Sequence, residues 1–301
     1  MEGTVGRVEL GPLVVGIDGS EPARRAALWA GAEAARRERS LHLLHAGETD
    51  GWAAHYLAAD SIDRIRSAGD QLLQNTAAAI TERYPAVKVS TEFSSGAPAV
   101  SLHRAAASSS TIVVGSRGLG GFKVLLLGSV VLEVAGGART PVIVVRGEVG
   151  EEERGVVLAA VRDGADLDCA RYAAREAELR RASLRLLHVW SVLQSVGNVV
   201  TMLDDVTEIA GEHLQQVTAL ADRIREEFPG LTVHADAEKS TSVAGTLVEA
   251  SGHADLLVMG GRHSTGMIGA ALGRAAHSCL HHAQCPVQLI AHPAHEAEGV
   301  G

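Results

Sequence analysis

The stretch Gly115-Ser116-Arg117-Gly118-Leu119-Gly120-Gly121-Phe122-Lys123-Val124-Leu125-Leu126-Leu127-Gly128-Ser129 joins an apolar run to a helix through a glycine-spaced loop. Before it, Thr111-Ile112-Val113-Val114 is short, β-branched and apolar on both faces, which predicts a buried parallel strand. After it, 130–138 has the spacing of a helix. Gly115, Gly118, Gly120 and Gly121 carry no Cβ, so successive backbone N–H groups are able to turn toward an anion. Gly128 and Ser129 open the helix, where unpaired N–H donors and the positive end of the dipole favour phosphate. No Gly-Lys-Ser/Thr ends the loop, so it is not a Walker A sequence, and it lies too far from the first strand to be a dinucleotide fingerprint.

Outward from this loop the chain alternates. Leu13–Ile17 predicts a first strand ending at Asp18-Gly19-Ser20, and 21–39 has helical spacing with Ser20 as cap and Pro22 in the first turn. Strands are expected at 41–46, 87–93 and 142–145, and helices at 61–84 and 97–107. Five strands with helices between them require crossover connections and hence a parallel α/β sheet. The acidic stretch 148–154 has no apolar pattern and reads as a linker between a domain at 1–147 and another at 155–301.

Beyond the linker the design recurs. Asp163 follows an apolar run as Asp18 does (163 − 18 = 145), and Gly260, Gly273 and Pro286 match Gly115, Gly128 and Pro141 at the same offset of 145. One offset held across the domain indicates duplication. The second copy has strands expected at 156–161, 184–189, 231–237, 256–259 and 287–291, and a helix over 201–228.

Composition narrows the possible functions. With 27 Lys and Arg against 36 Asp and Glu, the formal charge is −9, which disfavours nucleic acid and anionic membrane surfaces as partners. Cys169, Cys279 and Cys285 make an odd set with no Cys-x-x-Cys spacing, so neither a disulfide framework nor a zinc ribbon is indicated. No signal peptide and no membrane-length apolar run is recognised, and a cytoplasmic location is expected. His277 and His281 stand i, i+4 on a predicted helix but lack a third ligand at a recognisable spacing.

The spacing Gly115-x2-Gly118-x9-Gly128-Ser129, with Asp18 at the end of the first strand, resembles the ATP-binding signature of the universal stress protein family. The resemblance covers nearly all of 13–291 in two copies. It implies two tandem open parallel five-stranded sheets with helices on both faces, Rossmann-related, in the strand order 3-2-1-4-5. The crevice between strands one and four would then bring Asp18 and the glycine loop face to face.

By the resemblance, Asp18 would meet the ribose or a bound Mg²⁺, and Leu44, His45 and Ala46 would line the adenine, largely through backbone. Gly16, Gly115, Gly118, Gly128, Ser129 and Val130 would complete the site, with Arg117 and Lys123 within reach of outer phosphates. Asp-Gly-Ser also serves an ordinary turn equally well. His45 recurs as His188 (188 − 45 = 143), which points to a structural role for both rings. The family implies pairing of strands 142–145 and 287–291 into an intrachain pseudo-dimer and leaves further homodimerisation open.

The second copy departs from the signature, since His263 stands for Gly118 and Arg274 for Ser129. Only the first copy is therefore expected to hold ATP or a related adenine nucleotide, with or without Mg²⁺. No base, nucleophile pair or arginine clamp accompanies the loop, so no catalytic residue is assigned. The leading reading is an ATP-binding stress-response regulator. A slow ATPase or nucleotide-using enzyme, and an interaction scaffold without nucleotide, are the alternatives.

Overall fold

The computed structural model describes residues 11–50, 58–107, 110–118, 127–147, 153–191, 193–196, 199–202, 206–260 and 272–290. Two compact units share them: residues up to Val134 with Thr140–Val142 in one, and Ala135–Arg139 with residues from Ile143 onward in the other.

In the first unit the order along the chain is β1 (Leu13–Gly16), α1 (Glu21–Arg36), β2 (Leu41–Ala46), α2 (Ala59–Arg83), β3 (Val89–Ser94), α3 (Pro98–Ala105), β4 (Thr111–Gly115) and α4 (Ser129–Gly137). β1 is central. It pairs in parallel with β2, Leu13 opposite Leu41, and with β4, Leu13 opposite Thr111, while β3 lies outside β2. The strand β5 (Val142–Val145) falls on the division between the units. Every residue of β4 is buried, as its unbroken apolar run requires of a strand covered on both faces.

α1 shows why few aromatics suffice. Ala23, Ala26, Ala27, Ala30 and Ala34 make up most of its buried face, with Trp29 the one aromatic there, so much of the helix backbone lies close against the sheet. On its last turns Glu33 is buried and accepts from Arg37 Nη2 at 2.8 Å, an ion pair with both side chains shielded.

The second unit runs β6 (Val156–Ala160), α5 (Leu167–Arg180), β7 (Ser183–Ser191), β8 (Leu193–Val196), β9 (Val199–Met202), α6 (Val206–Glu227), β10 (Val233–Ser240), α7 (Val243–Ser251), β11 (Leu256–Gly260), α8 (Arg274–His282) and β12 (Val287–Ile290). Its sheet has the order β10-β7-β6-β11-β12, which is 3-2-1-4-5 in the numbering of one repeat. The core joins Val157, Ala159 and Leu186 of the sheet to Ala170, Ala173 and Ala177 of α5 and to Leu220 and Ile224 of α6. At the outer strand β10, Asp236 and Glu238 each accept from Arg185 of β7 at 2.7 Å, so charge marks that edge.

Two sequence expectations change. The helix expected over 201–228 begins at Val206, and Thr201 and Met202 belong to β9, antiparallel to β8 with Met202 opposite Leu193. Val199-Val200-Thr201 is a β-branched run that favours extended backbone.

The single offset of 145 also fails at the start of the repeat. With Gly260 matched to Gly115, Leu256 matches Thr111 at 256 − 111 = 145, but sheet register then matches Val157 to Leu13 at 157 − 13 = 144 and Leu184 to Leu41 at 184 − 41 = 143. Asp18 therefore corresponds in space to Arg162, and not to Asp163.

Candidate functional site

The first unit collects its polar ends at the carboxyl side of the sheet. β1 runs out through Ile17, whose N–H donates to Leu44 O at 2.8 Å, and delivers Asp18 to the gap between β1 and β4. Asp18 Oδ1 accepts the Ser20 N–H at 2.9 Å, closing a turn two residues long. Ser20 begins α1 as its cap, its Oγ accepting the Ala23 N–H at 3.2 Å and donating to Arg117 O at 3.3 Å across the gap.

The glycine loop approaches this turn closely. A Cβ on Gly118 would stand 2.5 Å from Asp18 Oδ2, so a side chain there would force the carboxylate or the loop to shift, and glycine lets the two meet as they stand. Gly115 has the same relation to α1, where a Cβ would come within 2.5 Å of the Pro22 carbonyl carbon. Gly128 N–H donates to Ser116 O at 3.1 Å and returns the chain to α4 beside the point it left.

Around this junction lies a cavity of about 480 Å³. Gly16, Asp18, Leu44, His45, Ala46, Gly115, Arg117, Gly118, Gly128, Ser129 and Val130 all line it. Gly120, Gly121 and Lys123 lie outside the described residues. Sequence reasoning missed Glu48 and Pro98, which also line the cavity. Both follow carboxyl ends of strands, β2 and β3, and that position was the available signal.

His45 has a defined structural task. A carbonyl only accepts, so His45 Nδ1–H donates to Ile17 O at 2.7 Å, tying β2 to the end of β1. Its ring lies 5.8 Å from that of Phe93, and a Cβ on Gly69 of α2 would stand 2.6 Å from either ring.

The second unit repeats the bond and refills the space. His188 Nδ1–H donates to Val161 O at 3.0 Å, and its Nε2 accepts from His213 Nδ1–H at 2.9 Å. His213 takes the place of Gly69 and Ala237 that of Phe93, each at an offset of 144 (213 − 69, 237 − 93), so a large residue has moved from strand to helix. Burial and the neighbouring His188 lower the pKa of His213, with Glu212 opposing them.

The second crevice is smaller, about 300 Å³. Where Asp18 stands in the first, Arg162 lines the second. Its Nε and Nη2 both donate to Asp166 at 3.2 Å, and its backbone N–H donates to the same carboxylate at 2.8 Å. Asp163, which is not among the residues lining this crevice, accepts the Ala165 N–H at 2.8 Å. Arg274 opens α8, which has no side-chain cap. His263 and Gly266 lie outside the described residues.

Burial pushes the thiols of Cys169, Cys279 and Cys285 up to about 12, so none is a thiolate near neutral pH. The rings of His277 and His281 lie 4.5 Å apart, and among the described residues no three His, Cys, Asp or Glu side chains gather as a metal site.

The profile of the universal stress protein family matches residues 10–146 and again 154–291. The chain belongs to the universal stress protein family. It carries two tandem copies of that family's domain. Universal stress protein Rv2624c of Mycobacterium tuberculosis H37Rv is 29% identical over 283 residues, an alignment covering 92% of this chain and 95% of that one. Universal stress protein Rv2028c of the same organism is 38% identical over 153 residues, 49% of this chain, and the match spans only 53% of that relative. Among solved structures, a universal stress protein from Archaeoglobus fulgidus superposes with a TM-score of 0.71 at 21% identity, covering 94% of this chain and 99% of that one, and supports the fold.

Proposed function

We propose that this universal stress protein binds ATP, or a related adenine nucleotide, in the first unit and acts as a cytoplasmic stress-response regulator. The observation that carries this reading is the contact of Gly118 with the Asp18 carboxylate inside a cavity at the point where strand order reverses. The cavity falls within the roughly 300–1,000 Å³ typical of small-molecule sites.

The residues fit the ligand in kind. Leu44 and Ala46 offer an apolar wall for the base, and Asp18 offers a carboxylate for ribose hydroxyls or for Mg²⁺ escorting the phosphates. The start of α4 at Ser129 offers N–H donors to an anion. Bound Mg²⁺ would neutralise phosphate charge. Asp18 is the residue that would hold it.

A regulatory role is favoured over turnover by the composition of the wall. Among the described residues its charged members are Asp18, Glu48 and Arg117, with no lysine or paired arginines beside them to stabilise a transferring phosphoryl group. Among the described residues no helix is long and apolar enough to cross a membrane. In the second unit, Arg162 stands at the position of Asp18 and is ion-paired with Asp166, the carboxylate that lines this crevice, so that carboxylate is engaged by a guanidinium and nucleotide in the same manner is not expected there.

Calorimetric titration of the full chain with ATP, alongside Asp18→Ala, tests this reading. Binding that weakens at least tenfold in the variant supports it. Absence of binding to the unaltered chain contradicts it. Steady phosphate release lost in Asp18→Ala would replace the regulator by a slow ATPase.

A further inference from the structure

We propose that Ser20 is a positioning residue of the nucleotide site, setting the direction of the Gly118 N–H through the carbonyl of Arg117. The inference rests on the nucleotide reading of the first crevice. Ser20 is 7% exposed, and its hydroxyl makes two bonds of different kinds. It accepts from Ala23 N–H, which caps α1, and it donates to Arg117 O, which caps nothing.

The second bond has a consequence through the peptide plane. In a trans peptide the C=O of Arg117 and the N–H of Gly118 point in opposite directions within one rigid plane. Holding Arg117 O against Ser20 therefore fixes where the Gly118 N–H points. Gly118 lines the cavity and touches Asp18, and Asp18 is itself held by the Ser20 backbone N–H. One residue thus ties the carboxylate arm and the amide arm of the crevice into a single body, at a place where glycine alone would leave the plane loosely held.

The second unit provides a natural comparison. The residues after Arg162 are Asp163, Gly164 and Ala165, and none of them carries a hydroxyl. The second copy thus has an arginine in place of Asp18 and no hydroxyl in place of Ser20.

Capping and positioning are separable by substitution. Glycine is nearly as good a cap as serine but has no hydroxyl to donate, whereas threonine keeps both functions. Full-length protein carrying Ser20→Gly or Ser20→Thr is titrated with ATP, its thermal midpoint is recorded, and amide exchange at Gly118 is followed without nucleotide.

Ser20→Gly is expected to bind ATP about 5-fold more weakly, the effect of one ordinary hydrogen bond, with a small change in midpoint and faster exchange at Gly118. Ser20→Thr is expected within about 2-fold of the unaltered chain. Unchanged affinity and exchange in Ser20→Gly, or equal losses in both variants, overturn the proposal while leaving the nucleotide site intact. Failure of the unaltered chain to bind ATP overturns the nucleotide reading and, with it, this role for Ser20.

Discussion

At the scale of residues, Gly118 and Asp18 act as one unit. A methyl at 118 would stand 2.5 Å from Asp18 Oδ2, so Gly118→Ala must displace either the loop or the carboxylate. ATP affinity is expected to fall about tenfold in Gly118→Ala, and the double variant Asp18→Ala/Gly118→Ala to lose less than the sum of the single losses, read in a calorimetric double-mutant cycle. Additive losses would mean that the two positions serve the ligand separately. The glycine spacing was legible in sequence because main-chain approach leaves a compositional mark. The contact between Gly118 and Asp18 was not, because it joins residues a hundred positions apart. Nor was Arg162, since Asp163 offered a false match one residue away and only strand register separates the two.

His213 yields a second residue-scale expectation. Its pKa is lower in the folded chain than in the unfolded one, so the unfolded state binds the proton more readily. Its contribution to stability is present above the unfolded value of about 6.5 and is lost as pH falls below it. The thermal midpoint is therefore expected to drop between pH 7 and 5 more steeply in the unaltered chain than in His213→Asn. Parallel pH profiles would show that the His188–His213 bond is indifferent to protonation.

At the scale of elements, α1 carries the site because its alanine face lets it lie close to β1 and β4. That face was readable from 3.6-residue spacing, as were the cap at Ser20 and the stop of α2 before Pro85. What helical spacing hid was the pairing at the end of the helix, where Arg37 is shielded with Glu33. Removing one partner strands a buried charge, so Glu33→Ala is expected to destabilise the protein by about 3–5 kcal/mol in denaturant unfolding. A loss below about 1 kcal/mol would place this pair among ordinary surface bridges. The strand β9, read in sequence as the start of a helix, failed for the converse reason: Thr201 fits either period, and the β-branched run before it decided the matter.

At the scale of the molecule, duplication has produced two crevices with opposite charge at one position. Sequence showed the duplication through Gly260, Gly273 and Pro286, whose backbone tasks fix their spacing. It misjudged the first strand, because a one-residue difference in the connections shifts the offset from 145 at β4 and β11 to 144 at β1 and β6 without disturbing the apolar pattern. Gly118 sits against a carboxylate in one copy, and Arg162 is engaged by Asp166 in the other, so a difference in ligand capacity between the copies is expected. Its most direct test is the stoichiometry of ATP binding to the intact chain by calorimetry. One ATP per chain, weakened at least tenfold by Asp18→Ala, is the predicted result; two equivalent sites, or a site whose affinity Asp18→Ala leaves unchanged, would contradict it.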